Sequence, residues 1–480
     1  MHIGWGQAVP GVCRTGRDDL YPMHRSTRAS HGIVFSTITS SGTILFATGT
    51  TARHGCVKPR GSLHWPFTVC RMISTPSFDD LSRPAADPAY WMLDPKVVFL
   101  NHGSFGACPR PVLEFQQTIR NSLEKQPVHF FARQLEALLD AARASLAAFV
   151  GCNADDLVFV PNATSGVNTV LRSIGFKPGD ELLTTDHEYN ACRNALNFVA
   201  EQAGCRVVVT QVPFPLNSED QIVEAILSSV TTRTRIALLD HVTSPTALVL
   251  PMERLVRELA RRGVETLVDG AHAPGMLPLN LNKLGAAYYT GNCHKWVCAP
   301  KGAAFLHVRP DLQHAIRPLV ISHGANSRRT DRSRFLIEFG WTGTVDPSAY
   351  LSVPVAIQYM ESLARGGWPT IMRRNRELAI AAQKMLCKAL AIAPPCPEHM
   401  IGSMTAVPFW DSPEPESPTS PLYVDPVQDL LLEKHNIEVP IMPWPAHPRR
   451  VLRVSAQLYN SLDQYELLAH ALGAYKPDQF

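Results

Sequence analysis

The sequence predicts an α/β protein: a mainly parallel central sheet covered by helices on both faces, followed by a smaller α+β domain at the C-terminal end. The first observation is alternation. Short, strongly apolar runs at 157–160, 181–185, 206–210, 236–239 and 266–268 are separated by amphipathic helix patterns at 165–174, 191–203 and 218–230, and by one opening at Pro251, a residue suited to a first helical turn. Strands buried on both faces read as continuous hydrophobic runs, as crossover-connected parallel strands require. The second observation is a change of pattern beyond Tyr350. Helices are expected at 348–363, 371–390, 427–435 and from Leu462, with short strands near 405–409, 437–441 and 451–455. Ser461 and Gln464 are placed to form a capping box on the last helix.

Upstream, residues 97–106 read as a short strand running into a glycine-containing loop. Leu135, Leu138, Leu139, Ala142, Leu146 and Phe149 mark a helix over 133–150 that Gly151 stops. Residues 1–75 are rich in Ser, Thr, Gly, Arg and His and carry no sustained period. The uncharged stretch 32–52 has the length of a membrane span, but Ser, Thr and Gly punctuate it throughout. No signal peptide fits, because the apolar core starts far from the N-terminus. The expected division is a disordered extension (1–75), an N-terminal segment plus the large α/β domain (76–345) and the small α+β domain (346–480). The Pro- and Ser-rich piece 411–421 reads as a surface loop.

Composition narrows the class of function. A net charge of +3 leaves no basic footprint for nucleic acid, and 45% hydrophobic with 18% charged residues describes a soluble protein acting on small molecules, with no membrane partner. The eleven cysteines are scattered without a Cys-x-x-Cys pair, which argues against a zinc ribbon, a redox dithiol or a disulfide framework; no metal site and a reducing cytoplasm are expected.

In sheets of this kind ligands collect outside the carboxyl ends of the strands. The polar oddities of the sequence fall there: Asn162-Ala-Thr-Ser-Gly166, Asp186-His-Glu-Tyr-Asn190, Asp240-His-Val-Thr-Ser244, Asp269-Gly-Ala-His272 and Asn292-Cys-His-Lys295. Lys295 lies between two apolar strands, where burial would lower its pKa until the neutral amine is a nucleophile able to form a Schiff base with a carbonyl cofactor; a turn lysine beside a strand end is the other reading. Thr164, Ser165 and Gly166 sit where a helix N-terminus could hold a phosphate, or are an ordinary cap. Asp269 could pair with a protonated ring nitrogen or accept from its own turn. His187 could stack on a flat ring or cap a helix, and His272 and Ser244 could reach a ring hydroxyl or be satisfied core residues. Their joint occurrence in this order, on one sheet edge, describes a pyridoxal phosphate site.

The motifs Asn101-His-Gly-Ser-Phe-Gly106, Pro161-Asn-Ala-Thr-Ser-Gly-Val-Asn168, Thr185-Asp-His-Glu-Tyr-Asn190, Asp240-His-Val-Thr-Ser-Pro245, Val268-Asp-Gly-Ala-His-Ala273 and His294-Lys295 with Gly302 resemble the class V family of fold type I pyridoxal phosphate enzymes. More narrowly they resemble the isopenicillin N epimerase-like branch beside the cysteine desulfurases. The resemblance runs from about Val97 to the end. It implies pyridoxal 5′-phosphate as cofactor, with Lys295 as the imine lysine, Asp269 on the pyridine nitrogen, His272 near the ring oxygen and His187 stacked on the ring. It further implies Thr164, Ser165 and His294 around the phosphate, with Arg453 holding the substrate carboxylate beside Asn101. A homodimer with shared sites is implied too, in which Thr344 reaches the neighbour's phosphate. Two departures matter: Asn292 and Cys293 stand where a small hydroxyl residue often precedes the His-Lys pair, and the stretch 438–450 has no cysteine for persulfide chemistry. The expected activity is epimerisation or racemisation at Cα of a small amino acid, with Lys295 as base and His102, His241 or Tyr189 as guesses for a second acid. The alternatives are a class V aminotransferase, a cysteine-type carbon–sulfur β-lyase, and a cofactor-less binding protein on the same fold.

Overall fold

The apolar runs become strands whose side chains alternate between two helix layers. In the computed structural model, which describes residues 78–417, 419 and 424–475, these strands are β2 (Leu157–Val160), β3 (Glu181–Thr185), β4 (Arg206–Thr210), β5 (Thr234–Asp240), β6 (Glu265–Asp269), β7 (Tyr288–Asn292) and β8 (Ala304–Val308). Leu183, Ala237, Leu239, Val268, Tyr289 and Phe305 pack into the larger core on one face. Their neighbours Leu182, Ile236, Leu238, Leu267, Tyr288 and Leu306 pack into a second core on the other, the period-two consequence of the pleat.

The sheet has seven strands in the order β2-β8-β7-β6-β5-β3-β4. Only β8 runs against its neighbours; β3, β4, β5, β6 and β7 pair in parallel. Since β2 and β7 both oppose β8, the five strand ends named above open onto one edge, as the parallel reading requires. This is the expected α/β architecture.

The C-terminal part is built on an antiparallel sheet, β11 (Ile441–Pro443), β12 (Arg450–Ser455) and β9 (Met404–Phe409), with the helices Gly367–Ala389 and Leu462–Gly473 packed beside it. The expected strand 437–441 divides. Pro440 interrupts it, and its first half, β10 (Ile437–Glu438), pairs in parallel with β1 (Val98–Phe99). The segment that begins the described residues follows β1 onto this part: Phe78, Trp91 and Ala107 pack with Met360, Trp368, Ile371 and Tyr459. The division at 345/346 is our proposal, and the chain from Phe78 to Ala107 packs across it. The reading of 1–75 lies outside the described residues.

Three local expectations differ. The helix Leu462–Gly473 has no capping box: Ser461 makes no side-chain cap, and Gln464 Oε1 accepts from Asn460 Nδ2 at 2.8 Å. The 348–363 helix is two pieces, Ser348–Leu351 and Val353–Ser362, broken ahead of Pro354, which lacks an amide to continue the ladder. A long helix, Arg110–Lys125, was not expected at all; only Val112, Gln116 and Leu123 are buried on it, too few to give a legible stripe. Among the described residues no helix is long and apolar enough to cross a membrane.

Candidate functional site

The turn after β7 carries Lys295, and its backbone is held from two sides. His102 donates from Nε2 to the Lys295 carbonyl at 3.0 Å, which leaves Nδ1 to accept the Tyr459 hydroxyl at 2.8 Å; burial pushes this imidazole down to about 3. Gly106, at φ +69°, lies so close that a Cβ would stand 2.0 Å from the His294 carbonyl oxygen. Gly106→Ala is therefore expected to cost at least about 2 kcal/mol, read as a lowered thermal midpoint, since both the positive φ and the contact oppose it.

The amine of Lys295 lies 3.0 Å from His272 Nε2, within hydrogen-bond distance, and the Trp296 indole N–H reaches His272 Nδ1 at 3.5 Å. Dehydration, reinforced by the Arg453 charge and opposed by Asp269 and Asp240, lowers the lysine to about 8. Burial likewise keeps His272 neutral.

Asp269 ends β6 with 2% exposure. Its Oδ1 accepts the Ala271 amide at 2.9 Å and its Oδ2 the Cys192 thiol at 3.1 Å. Burial raises its pKa against those two bonds and the Lys295 charge. No guanidinium or ammonium hydrogen-bonds to it among the described residues.

Arg453, on β12, is 3% exposed. Its hydrogen bonds go to neutral oxygens: Nη1 to the Ser244 carbonyl at 2.7 Å and hydroxyl at 3.3 Å, and Nη2 to Ser104 Oγ at 2.8 Å. Its Nε has no partner, and burial lowers it to about 10. Ser104 in turn donates to Asn101 Oδ1 at 2.5 Å, and Asn101 donates to Glu438 at 3.1 Å. Asn101 thus supports the guanidinium through Ser104, while Ser244, expected at a ring hydroxyl, holds the arginine from the other side.

At the start of the helix Ala163–Ser173 the amides of Ala163 and Ser165 are already capped, by Asn292 Oδ1 at 2.9 Å and Asn162 Oδ1 at 2.8 Å. The hydroxyl of Ser165 also goes to Asn162. Among the described residues no protein group hydrogen-bonds the hydroxyl or the amide of Thr164. Asn292, the departure noted in the sequence, is used here as a cap. His294 rests with Nδ1 3.2 Å from the Ala303 carbonyl, neutral through burial at about 4.

The remaining expectations separate. His187 is clamped by Thr246 Oγ1 at 2.7 Å and the Val212 carbonyl at 2.9 Å, its ring edge-on to Trp444 at 4.5 Å between centroids. His241 is bound to the Tyr289 hydroxyl at 2.9 Å and held near 4 by burial. Tyr189 is 47% exposed, and it feels both the Asp269 and the Arg453 charge. Thr344 is exposed. Sequence reasoning missed Ser104, Cys192 and Tyr459; Ser104 lay inside a quoted motif, but Cys192 and Tyr459 carried no signal short of the fold.

Residues 106–412 match the family described as aminotransferase class-V. The chain belongs to this family. Among relatives, this class-V protein is 37% identical over 394 residues to isopenicillin N epimerase of Amycolatopsis lactamdurans, covering 79% of the chain and 95% of the relative. It is 30% identical over 436 residues to a probable chloroplastic L-cysteine desulfhydrase of Arabidopsis thaliana, covering 85% and 88%. Its fold is shared with the cystine C–S lyase C-DES, solved with its product cysteine persulfide, at a TM-score of 0.64 and 21% identity over 79% of this chain and 98% of that one. The protein is a fold type I, pyridoxal 5′-phosphate-dependent enzyme acting on amino acids. Its residues fit that cofactor on their own evidence: a buried carboxylate without a hydrogen-bonded cation, an amine of lowered pKa beside a neutral imidazole, and an uncapped threonine at a helix N-terminus.

Proposed function

We propose that the protein is a carbon–sulfur β-lyase of small amino acids, with Lys295 as its Cα base. The cofactor, when bound, supplies an electrophilic aldehyde and a ring that accepts the charge left at Cα. Asp269 would hold the ring nitrogen protonated, Thr164 would hold the phosphate beside Ser165 and His294, and Arg453 would take the substrate carboxylate in a bidentate pair. With the carboxylate fixed, the Cα–H bond is aligned toward the Lys295 amine, which takes the proton. His272, neutral and in contact with that amine, keeps it oriented.

The observation that favours elimination is the shortage of a second acid. Epimerisation needs a donor across the ring from Lys295, whereas His102 and His241, two of the three residues named for that role, are buried, neutral and committed to other partners. Elimination needs one base. Incubating the loaded enzyme with L-cysteine and cystine should release pyruvate and sulfide or persulfide; deuterium entering Cα from solvent, with inversion and no pyruvate, would instead favour the epimerase.

That second reading rests on Tyr189, whose exposed ring lies near Asp269 and Arg453. Tyr189→Phe is expected to lower elimination by less than about ten-fold. An epimerase that used its hydroxyl as the second acid would lose roughly 10²–10⁴-fold in inversion while retaining proton exchange on the Lys295 face. Chiral chromatography of the recovered amino acid distinguishes the two.

We also infer a homodimer. Leu319, Val320 and Val345 are exposed and line a groove of about 930 Å³ shared with Ser165 and Gly302. A second copy covering this groove would bring an exposed Thr344 to the neighbour's phosphate site; a monomer in sedimentation at micromolar concentration would count against it.

A further inference from the structure

Behind Asp269 the fold buries two carboxylates that the chemistry above does not use. Asp240 closes β5 and stands opposite Asp269 in the parallel register, so the two side chains leave the sheet on the same face. Glu188 follows β3 and accepts the Thr184 hydroxyl at 3.2 Å. Glu188 and Asp240 are 8% and 3% exposed. Oxygens of Glu188 and Asp269 and the Cys192 sulfur all lie within 4.8 Å of one another.

The groups facing this cluster can be named element by element. From β3 comes Thr184; from the helix Asn190–Ala203 come Cys192 and Arg193; from the loop between them comes the Tyr189 amide, bonded to Asp240; from the turn after β7 comes Lys295. Arg193 turns its Nε to Asn197 and Lys295 is bonded to His272. Among the described residues no cation hydrogen-bonds to either acid, and Glu188 Oε1 and Asp240 Oδ2 have no partner. Three adjacent buried carboxylates cannot all be ionised against one pyridinium. A proton on each of Glu188 and Asp240 removes a charge that no cation, and at Oε1 and Oδ2 no donor, offsets.

We propose that Glu188 and Asp240 are positioning residues that each keep a proton behind Asp269, leaving Asp269 as the sole anion presented to the pyridine nitrogen. This rests on the Asp269 assignment made above. A neutral carboxyl pair holds the floor of the site in place without competing for the pyridinium.

The test compares Glu188→Gln and Asp240→Asn, which keep the shape of a neutral carboxyl, with wild type, using the full chain first without and then with pyridoxal phosphate. An acid that keeps its proton in the folded state above its unfolded pKa of ~4 makes folding less favourable as pH rises from there. The wild-type apo-protein should therefore lose thermal stability toward pH 8, and each variant should melt above it at pH 8 and converge with it near pH 4. Cofactor affinity and the visible spectrum of both variants should stay within about three-fold and unshifted between pH 6 and 8, whereas Asp269→Asn should bind the cofactor at least about ten-fold more weakly. Variants no more stable than wild type at pH 8, or more than about ten-fold weaker in cofactor binding, overturn the retained protons. Asp269→Asn binding as wild type does would overturn the Asp269 assignment and the positioning role with it, while the apo-protein melts judge the protons separately.

Discussion

Lys295→Met is expected to abolish covalent cofactor attachment and to lower turnover by at least about 10³-fold, while making the apo-protein more stable. The two effects share one cause. The fold removes most of the water from an ammonium and gives it an imidazole nitrogen instead of a carboxylate at hydrogen-bond distance, so its pKa falls to about 8. That depression corresponds to roughly 2 kcal/mol of unfavourable burial at neutral pH, allowing for partial exposure. The sign follows from proton counting: the folded state binds fewer protons than the unfolded chain between pH 8 and ~10.4, so wild-type stability rises with pH across that window. The methionine variant lacks this dependence. Its advantage should be full below pH 8 and fade above it, measured by chemical denaturation of the apo-protein. Borohydride reduction followed by peptide mass spectrometry should find the cofactor on Lys295 in wild type and nowhere in the variant; a labelled peptide elsewhere would name a different lysine.

How much of this was legible in the sequence follows from which forces act locally. The strands β3 and β4 carry the residue ranges that periodicity predicted, because continuous burial on both faces leaves an unbroken apolar run. The rim was legible for the same reason, since the chain must turn polar where each strand leaves the sheet. The assignments that depended on where a side chain turns were not. His187 and Tyr189 are two residues apart after β3, yet one is locked between Thr246 and Val212 and the other opens to the cleft. Nothing in Asp186-His-Glu-Tyr-Asn190 distinguishes them; the difference is made by Phe214 and by Trp444, the latter far away in sequence, packing against the histidine. Ser244 was likewise placed at the right strand end but drawn aside by Arg453. The break at Pro440 was visible, but not that β10 would pair with β1, a contact across more than three hundred residues that no local pattern encodes.

Arg453→Met is expected to lower kcat/KM for amino acids by about 10²–10³-fold, chiefly through KM, and to leave cofactor attachment intact. The argument begins with what is missing around the guanidinium. Arg453 is buried on β12, its Nη1 and Nη2 hydrogen-bond only the neutral Ser244 and Ser104 oxygens, and its Nε is bare. Burying a cation without an anion is costly, and the fold accepts that cost at a place where Tyr189 and Lys295 also converge. A substrate carboxylate supplies the missing charge, so binding recovers energy that folding lost. The methionine variant should accordingly melt at or above the wild-type temperature as apo-protein, as replacement of a buried, unpaired charge by an apolar side chain does. Arg453→Lys should not rescue KM, because one ammonium cannot reproduce the planar fork that Ser104 and Ser244 hold in register. The decisive comparison is with amines that lack the carboxylate: wild type should bind them far more weakly than the parent amino acid, and the methionine variant should bind the two alike. A variant that still prefers the amino acid would place the carboxylate away from Arg453 and remove the reason for its burial.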